Sequence, residues 1–162
     1  STAINRATRG VPADFLGESN ASLNDLYLIV NAVDGLPPGA YVYSRHERSL
    51  EMLADGDFRV EAGHLGLDQA LATDASVDIF LMCDLGPVLD RLGNRGYRAA
   101  QLDASITAGR LYLAAYAQQL GATGLTFHDD AVTDFFSPHA AGKSVMFLVA
   151  LGKKARRQQT LH

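Results

Sequence analysis

Three consecutive residues, Gly142, Lys143 and Ser144, have the side chains that bind nucleotide phosphates in a phosphate-binding loop. That loop requires a further glycine five positions before the Gly-Lys-Ser and a helix directly after it. Here Ser137 occupies the glycine position, and the residues after Ser144 are continuously apolar, as in a strand. The sequence therefore argues against a phosphate-binding loop.

Metal chemistry is the next candidate, because the chain contains five histidines: His46, His64, His128, His139 and His162. None of them pairs with a glutamate at the spacing of a zinc-binding helix, and no cysteines stand at zinc-finger spacing. His128, Asp129 and Asp130 are ligand types in sequence, but two acids at the start of a predicted helix are also favoured by the helix dipole. Helix capping is the stronger interpretation, and no metal site is expected.

Two further catalytic signatures are missing. The chain has no Gly-x-Ser-x-Gly segment, and Cys83 lies within an apolar run, where it is typical of a small buried hydrophobe. The glycine-containing segments 93–96 and 121–124 each follow a predicted helix rather than a first parallel strand, so neither matches the dinucleotide-binding fingerprint.

Charged residues near two predicted element ends are better candidates. Arg95, Tyr97 and Arg98 lie at the start of a long helical segment and could bind an acidic or peptide substrate, although residues of this kind more often tie a loop to the start of a helix. Residues 152–157 carry four positive charges in six positions, which is either a solvated tail or a contact for a phosphorylated ligand.

The composition limits the class of protein. The chain has 162 residues, 48% of them hydrophobic, and a formal net charge of −4, which predicts one globular domain and argues against nucleic acid as a partner. No apolar run approaches the roughly 20 residues that span a bilayer, and no signal peptide is visible. A single cysteine excludes a disulfide framework. We expect a soluble cytoplasmic domain with no membrane partner.

Apolar patterning predicts six strands. Residues 26–33 and 77–83 are apolar on both faces and are predicted to be central strands. Residues 40–44 and 48–53 alternate around a turn and predict a hairpin at the edge of the sheet. Short strands are predicted at 123–127 and 144–151.

Helical patterning predicts one dominant helix. Segments 60–71, 85–92 and 129–136 are predicted as short helices, the second capped by Asp84. The longest segment runs from Tyr97 to Leu120 and is predicted to end at Gly121 in a left-handed conformation. Seven of its residues repeat at helical spacing and predict a broad buried stripe: Leu102, Ile106, Gly109, Leu113, Tyr116, Ala117 and Leu120. Small residues also crowd this helix and would permit close approach of a backbone or a flat ligand. The elements together predict an α+β fold.

Five segments in order carry a resemblance to a known family: residues 33–43, 94–98, 111–116, 120–130 and 150–152. In this order they resemble the nitroreductase-like flavoprotein family, and most closely its SagB-type branch, the azoline dehydrogenases of thiazole and oxazole peptide biosynthesis. The resemblance covers residues 6–152. It implies a mixed, largely antiparallel sheet flanked by helices with one long central helix. It also implies a domain over 1–152 that is N-terminally incomplete, followed by a basic tail over 153–162.

The family's chemistry depends on FMN, which is held between the two subunits of a homodimer and passes a hydride between a nicotinamide, NAD(P)H, and a small organic or peptide substrate. The resemblance implies that a polar loop before the first central strand wraps the flavin, that the turn after the long helix presents backbone N–H groups to flavin N5, and that basic residues after the last strand pair with the phosphate. The corresponding positions in this chain are Ser19, Asn20 and Ser22; Gly124, Leu125 and Thr126; and Lys153 and Arg156. A plain polar loop and a tight turn are the alternative interpretations of the first two groups.

Departures from the family pattern motivate a second hypothesis. Residues 1–6 lack the Arg-x-Ser-x-Arg type of motif whose arginines bind the FMN phosphate, and the SagB branch's Lys-Tyr pair is replaced by Arg91-Leu92. Ser105-Ile106 stands where Gly-His is common. The alternative function is therefore a flavin-free scaffold or binding protein with the same fold.

Overall fold

The computed structural model describes residues 2–10, 12–17 and 21–153 and confirms an α+β fold. The strands are β1 (Asn24–Val30), β2 (Gly39–Ser44), β3 (Ser49–Asp55), β4 (Val77–Cys83), β5 (Gly121–Leu125) and β6 (Ser144–Gly152). The helices are α1 (Thr2–Ala7), α2 (Arg59–Leu65), α3 (Ala70–Asp74), α4 (Leu85–Leu92), α5 (Arg95–Tyr116) and α6 (Asp129–Phe135), with a short 3-10 turn at Asp14–Leu16.

The strands form one sheet in the order β3-β2-β1-β4-β6-β5. Every pairing between neighbours is antiparallel, so the described sheet is antiparallel throughout rather than mixed. β1 and β4 lie inside the sheet, as their continuous apolar character predicts. The β2–β3 hairpin forms one edge, also as predicted, and β5 forms the other.

Side chains alternate between two helix-covered faces. Leu26, Leu28 and Val30 of β1 point to the face covered by α1, α4 and α5. Tyr27 and Ile29 point to the opposite face, where α2 and α6 pack. Two apolar cores therefore lie on either side of the sheet, and each strand of the central pair contributes to both.

The orientation of α5 differs from the prediction. Its sheet-facing side is built of small residues, and the buried positions are Gly96, Ala99, Ala100, Asp103, Ala104, Thr107, Ala108, Leu111 and Ala115. The predicted stripe faces away from the sheet, with Leu102 50%, Leu113 70% and Tyr116 50% exposed. The prediction was wrong because it ranked residues by apolarity, whereas the small side chains let α5 lie close to the strands.

The two ends of α5 also depend on local backbone details. The left-handed residue after the helix is Gln119, with φ 60°, and Gly121 already begins β5, so the predicted glycine cap is wrong. At the other end, a Cβ on Gly96 would lie 2.9 Å from the Val88 carbonyl oxygen, so glycine is needed where α5 crosses α4. The cap of α4 is confirmed, because Asp84 accepts a hydrogen bond of 3.2 Å from the Gly86 N–H.

Within the described ranges, neither α5 nor any other helix has the combination of length and apolarity that crossing a bilayer requires.

One buried carboxyl group lies inside the sheet. Asp78 in β4 is 0% exposed, and neither of its carboxylate oxygens has a hydrogen-bond partner among the described residues. Burial raises the pKa of Asp78 from 3.8 to about 8, against a smaller opposing effect of the Arg59 guanidinium. Arg59 itself donates to the Thr73 carbonyl oxygen at 2.9 Å. The folded protein therefore holds this carboxyl group in its neutral form at neutral pH.

This raised pKa predicts a pH-dependent stability. Between the unfolded pKa of 3.8 and the folded pKa of about 8, the folded state binds the Asp78 proton and the unfolded chain releases it. The contribution of Asp78 to stability is therefore greatest below pH 3.8, falls as the pH rises and levels off above pH 8. Because Asp78→Asn removes the titrating group, we expect it to be more stable than the wild type at pH 8 by roughly 2–5 kcal/mol, with the difference vanishing near pH 4.

Urea denaturation of both proteins across this pH range tests the prediction. Other titrating groups contribute equally to both proteins, so their difference isolates Asp78. Asp90→Asn, at an exposed position on α4, is the matched control. Parallel pH profiles for the wild type and Asp78→Asn would contradict the assignment.

Candidate functional site

Asp103 joins the long helix to the start of the central strand. Its Oδ2 accepts hydrogen bonds from Ser22 Oγ at 2.7 Å, the Leu23 N–H at 2.9 Å and the Asn24 N–H at 3.2 Å. The Asn24 side-chain amide donates to the same oxygen at 2.8 Å and to the Ala100 carbonyl at 3.0 Å. One buried carboxylate thus organises the backbone that leads into β1 and holds Ser22, a predicted flavin contact, against α5.

Arg45, which follows β2, covers the same point from the hairpin side. Its Nη2 donates to Ser22 Oγ at 3.1 Å and also to the Asn24 carbonyl oxygen. Burial lowers the pKa of Arg45, and the nearby carboxylates of Asp25 and Asp103 oppose that shift. The guanidinium therefore partly neutralises the acidic groups around Ser22.

A second network of hydrogen bonds and ion pairs runs from Asp25 across the sheet. Lys143 Nζ lies 2.5 Å from Asp25 Oδ2 and donates to Tyr27 Oη at 3.0 Å. Tyr27 Oη is also 2.9 Å from His139 Nδ1, and Arg45 lies 3.5 Å from Asp25. The lysine of the apparent phosphate-loop segment is therefore one partner of an ion pair, which agrees with the sequence argument against a phosphate-binding loop.

Within this network, the positive charge of Lys143 is paired with the carboxylate of Asp25. Burial alone would lower the pKa of Lys143, but its hydrogen bonds to Asp25 and Tyr27 outweigh that effect and leave the pKa raised. Burial raises the pKa of Tyr27, and the hydrogen bond from Lys143 partly opposes this shift. At neutral pH the ammonium is charged and the phenol is protonated, so Tyr27 can donate to His139.

The predicted flavin-edge residues Gly124, Leu125 and Thr126 lie at the end of the edge strand β5. A Cβ on Gly124 would meet the Phe147 ring at 3.1 Å and Tyr112 Oη at 3.3 Å, so the strand lies close against these side chains. Gln69 Nε2 donates to Thr126 Oγ1 at 3.0 Å. Gly124 and Leu125 are therefore strand residues rather than the predicted turn, and the end of β5 is supported from both sides of the sheet.

Lys153 lies beyond the last residue of β6 and is exposed. It lines a cavity of about 320 Å³ together with residues 121–123 of β5, residues 150–152 of β6 and Asp74 of α3. Gly121 pairs with Gly152, so Gly124 lies roughly 10 Å from the Lys153 end of the sheet, measured along the strand. These two candidates therefore share one edge of the sheet.

Ser22 is not part of that edge. It precedes β1 at the end of the sheet where Asn24 pairs with Cys83 and Cys83 with Ser144, which is the opposite end of β6 from Lys153. β1 is also three strands away from β5, a lateral distance of roughly 14 Å. A single copy of the chain therefore does not bring Ser22 together with Gly124 and Lys153.

The remaining candidates lie elsewhere or outside the described residues. Arg95, Tyr97 and Arg98 are exposed in the first turn of α5, where Tyr97 Oη accepts a 3.2 Å hydrogen bond from Gln101. Ser19, Asn20 and Arg156 lie outside the described residues. Sequence reasoning missed Asp25, Lys143 and Asp103. The sequence signal that could have identified them is a charged residue at a position where the neighbouring pattern predicts an apolar or small one.

Comparison with known proteins identifies the fold. No family model matches the sequence, and no curated protein does. A putative nitroreductase from Anabaena variabilis is similar over 82% of this chain and 27% of its own, with 32% identity and a TM-score of 0.77. This chain therefore spans about a quarter of the length of that protein.

Two further structures share the architecture at lower identity. The E. coli microcin synthetase McbBCD complex with truncated pro-MccB17 matches 94% of this chain and 62% of its own at 14% identity and a TM-score of 0.74. The NADPH:FMN oxidoreductase from Vibrio harveyi complexed with NAD+ matches 96% of this chain and 58% of its own at 14% identity and a TM-score of 0.59. The antiparallel sheet with its long central helix is therefore the nitroreductase fold.

The Asp103 contacts predict a large and local stability effect. Asp103→Ala leaves the donors of Ser22, Leu23 and Asn24 without their shared acceptor, so we expect the free energy of unfolding to fall by about 3 kcal/mol or more. Asp103→Asn retains one acceptor oxygen and should show a smaller loss. Chemical denaturation measures both. Asp90→Ala on the exposed face of α4 should change stability by less than about 0.5 kcal/mol, and an equal effect of the Asp90 and Asp103 changes would contradict the assigned role.

Proposed function

We propose that this chain is the flavin-binding part of an FMN-dependent oxidoreductase of the nitroreductase type, which transfers a hydride to or from a small organic or peptide substrate with NAD(P)H as electron donor. The observation that carries the proposal is the nitroreductase fold, together with 32% identity to a putative nitroreductase over 82% of the chain. One neighbour with this fold is described as an NADPH:FMN oxidoreductase and another as part of a peptide-modifying synthetase.

The β5 edge has features that fit a flavin. On the outer side of β5, no strand of the described ranges pairs with it, so backbone groups there are free to meet a ligand. Gly121 lacks a side chain, which allows a planar ring to approach the backbone there, whereas the space beside Gly124 is taken by Phe147 and Tyr112. The cavity of about 320 Å³ lies beside this strand, and Lys153 at its end could pair with a phosphate. Asp74 at the same cavity would oppose that anion and limit its affinity.

When bound, FMN supplies the hydride-accepting and hydride-donating chemistry. The protein would orient the flavin through Gly124, Leu125 and Thr126 and would hold its phosphate through Lys153 and Arg156. Backbone N–H groups aimed at a site of developing negative charge stabilise it without reorganisation. Arg95, Tyr97 and Arg98 are the proposed substrate contacts, since three exposed polar side chains stand together at the start of α5.

A second copy of the chain would complete the site. Ser22 is remote from the β5 edge of its own chain but could reach the β5 edge of a partner. The outward stripe of α5, with Leu113 70% and Leu102 50% exposed, is an apolar surface suited to an isologous helix pair. A homodimer with the cofactor between its subunits accounts for both observations.

The finer assignment to the SagB-type branch rests on the peptide-bound microcin synthetase neighbour. Arg91 and Leu92 stand where the SagB-type branch has its Lys-Tyr pair. Arg91 donates a 2.9 Å hydrogen bond to the Phe15 carbonyl oxygen and so holds the N-terminal segment. The proposal of a peptide substrate for this chain therefore rests on the peptide-bound neighbour.

Flavin binding is tested first, by titrating the purified chain with FMN and following the visible spectrum and fluorescence quenching. We expect Lys153→Glu to weaken FMN binding by about tenfold or more, because one charge-assisted contact to the phosphate is lost. Riboflavin, which has no phosphate, is the ligand control and should bind both proteins equally. Arg48→Glu, which makes the same two-unit charge change at an exposed position of the distant hairpin, is the matched protein control. No binding of either flavin by the wild type would favour the flavin-free scaffold instead.

The dimer is tested separately through α5. We expect Leu113→Asp to shift the chain toward the monomer in light-scattering chromatography, because a charge would be buried in an apolar interface. Val60→Asp is the matched control, since Val60 is 79% exposed on α2, on the other face of the sheet. If the site lies between subunits, Leu113→Asp also weakens FMN binding while Val60→Asp does not. An unchanged oligomeric state in Leu113→Asp would contradict the α5 interface.

A further inference from the structure

Three side chains with metal-binding atoms meet on the sheet face opposite α5. His64 lies in the last turn of α2, Asp68 follows it in the loop before α3, and His128 directly precedes α6. One ligand atom from each lies within 4.8 Å of those of the other two. His64 Nδ1 is 3.6 Å from Asp68 Oδ1, and the two imidazole rings are 5.2 Å apart between centroids.

These separations are close to those of a zinc site. Zinc bonds to imidazole nitrogen and carboxylate oxygen of about 2.0–2.2 Å in tetrahedral geometry imply ligand atoms about 3.3–3.5 Å apart. The His64 and Asp68 atoms are already near that value at 3.6 Å. Their side chains are 62% and 79% exposed, so small rotations can bring all three atoms to bonding distance without disturbing the core.

The backbone holds the ligands together without a metal. The His128 N–H donates to the Leu65 carbonyl oxygen at 2.9 Å, which ties the β5–α6 loop to the end of α2. The Gln69 side chain bridges the same two loops by donating to Gly66 at 2.7 Å and to Thr126. Asp68, with φ 54°, is turned back toward His64, and its N–H donates to the Gly63 carbonyl at 2.8 Å. Two segments more than 50 positions apart in sequence therefore meet at a fixed distance.

We propose that His64, Asp68 and His128 bind a divalent transition metal ion, and that this ion is Zn²⁺. Two imidazoles and one carboxylate are a donor set that suits zinc, and three protein ligands leave one position for water. A surface His–Asp ion pair alone would explain the first two residues, but it gives no reason for the second imidazole, which comes from a different element. The proposal does not depend on flavin binding.

A bound ion would act as a clamp between two loops. One of them contains Thr126 and continues directly from Gly124, so zinc would stabilise the turn at the end of β5 from the face opposite α5. Since the ion binds the folded arrangement only, zinc should raise the unfolding temperature of the chain.

The test uses the full chain, freed of metal with EDTA and desalted. Zn²⁺ is titrated in competition with a chromogenic zinc indicator, and we expect one ion per chain. His64→Ala and His128→Ala should each lower the affinity by about tenfold or more, which is at least the effect of losing a supporting residue around a metal. His46→Ala, which removes an exposed histidine from the distant hairpin, is the matched control and should bind zinc as the wild type does.

Two further measurements separate a built site from general surface binding or a folding defect. Co²⁺ in place of Zn²⁺ should give the visible d–d absorption of a four-coordinate site in the wild type and lose it in His128→Ala. The metal-free unfolding temperatures of the variants should equal that of the wild type, and only the wild type and His46→Ala should gain stability on adding zinc. Failure of the wild type to bind zinc, or undiminished binding after loss of both His64 and His128, would overturn the proposal.

Discussion

The hydrogen bonds of Asp103 are the contact on which the arrangement of this fold most depends. A charged carboxylate can be buried only where donors surround it, and here one oxygen accepts from the side chain or backbone of three consecutive residues, 22–24. That requirement sets the rotation of α5 about its own axis, because Asp103 must face the sheet. Once it does, the residues one turn to either side, Ala99, Ala100 and Thr107, must face the sheet as well. The same contact sets where the chain enters β1.

The outward face of α5 follows from that rotation. With small residues against the strands, the large apolar side chains of the helix are left on the outside, where Leu102 and Leu113 are half or more exposed. An exposed apolar stripe of this kind is typical of a surface that binds a partner. The edge position of β5 has a similar consequence, because one side of its backbone, and Lys153 after the end of β6, are left exposed. These two features, one on a helix and one on a strand, motivate the proposal that two copies of the chain form a symmetric site.

Charge is treated differently at two places on the other face. Near the start of β1, the ammonium of Lys143 and the guanidinium of Arg45 both approach Asp25, so these partly exposed charges are paired with opposite charges. Farther along, Asp78 has no such hydrogen bonds, and its pKa rises to about 8. The Asp25 side chain is 48% exposed and Asp78 is 0% exposed, so Asp78 combines the deeper burial with the absence of a hydrogen-bond donor among the described residues. Asp78 is therefore neutral until the pH is alkaline.

The sequence by itself determined the α+β class, the number of strands, the edge hairpin, the bounds of β4 and α4, and the Asp84 cap. Each of these depends on residues close together in the chain, through side-chain alternation, turn residues or a cap two positions away. Only the tertiary structure decided which face of α5 is buried, which partners Asp103 and Lys143 have, and that His64 meets His128. Asp103 reaches Ser22 across 81 positions and Lys143 reaches Asp25 across 118, so no local pattern contains either contact. Where local apolarity and a distant set of hydrogen bonds made opposite demands on α5, the distant bonds prevailed, because the donors at residues 22–24 would lose their shared acceptor, which costs more than an exposed leucine.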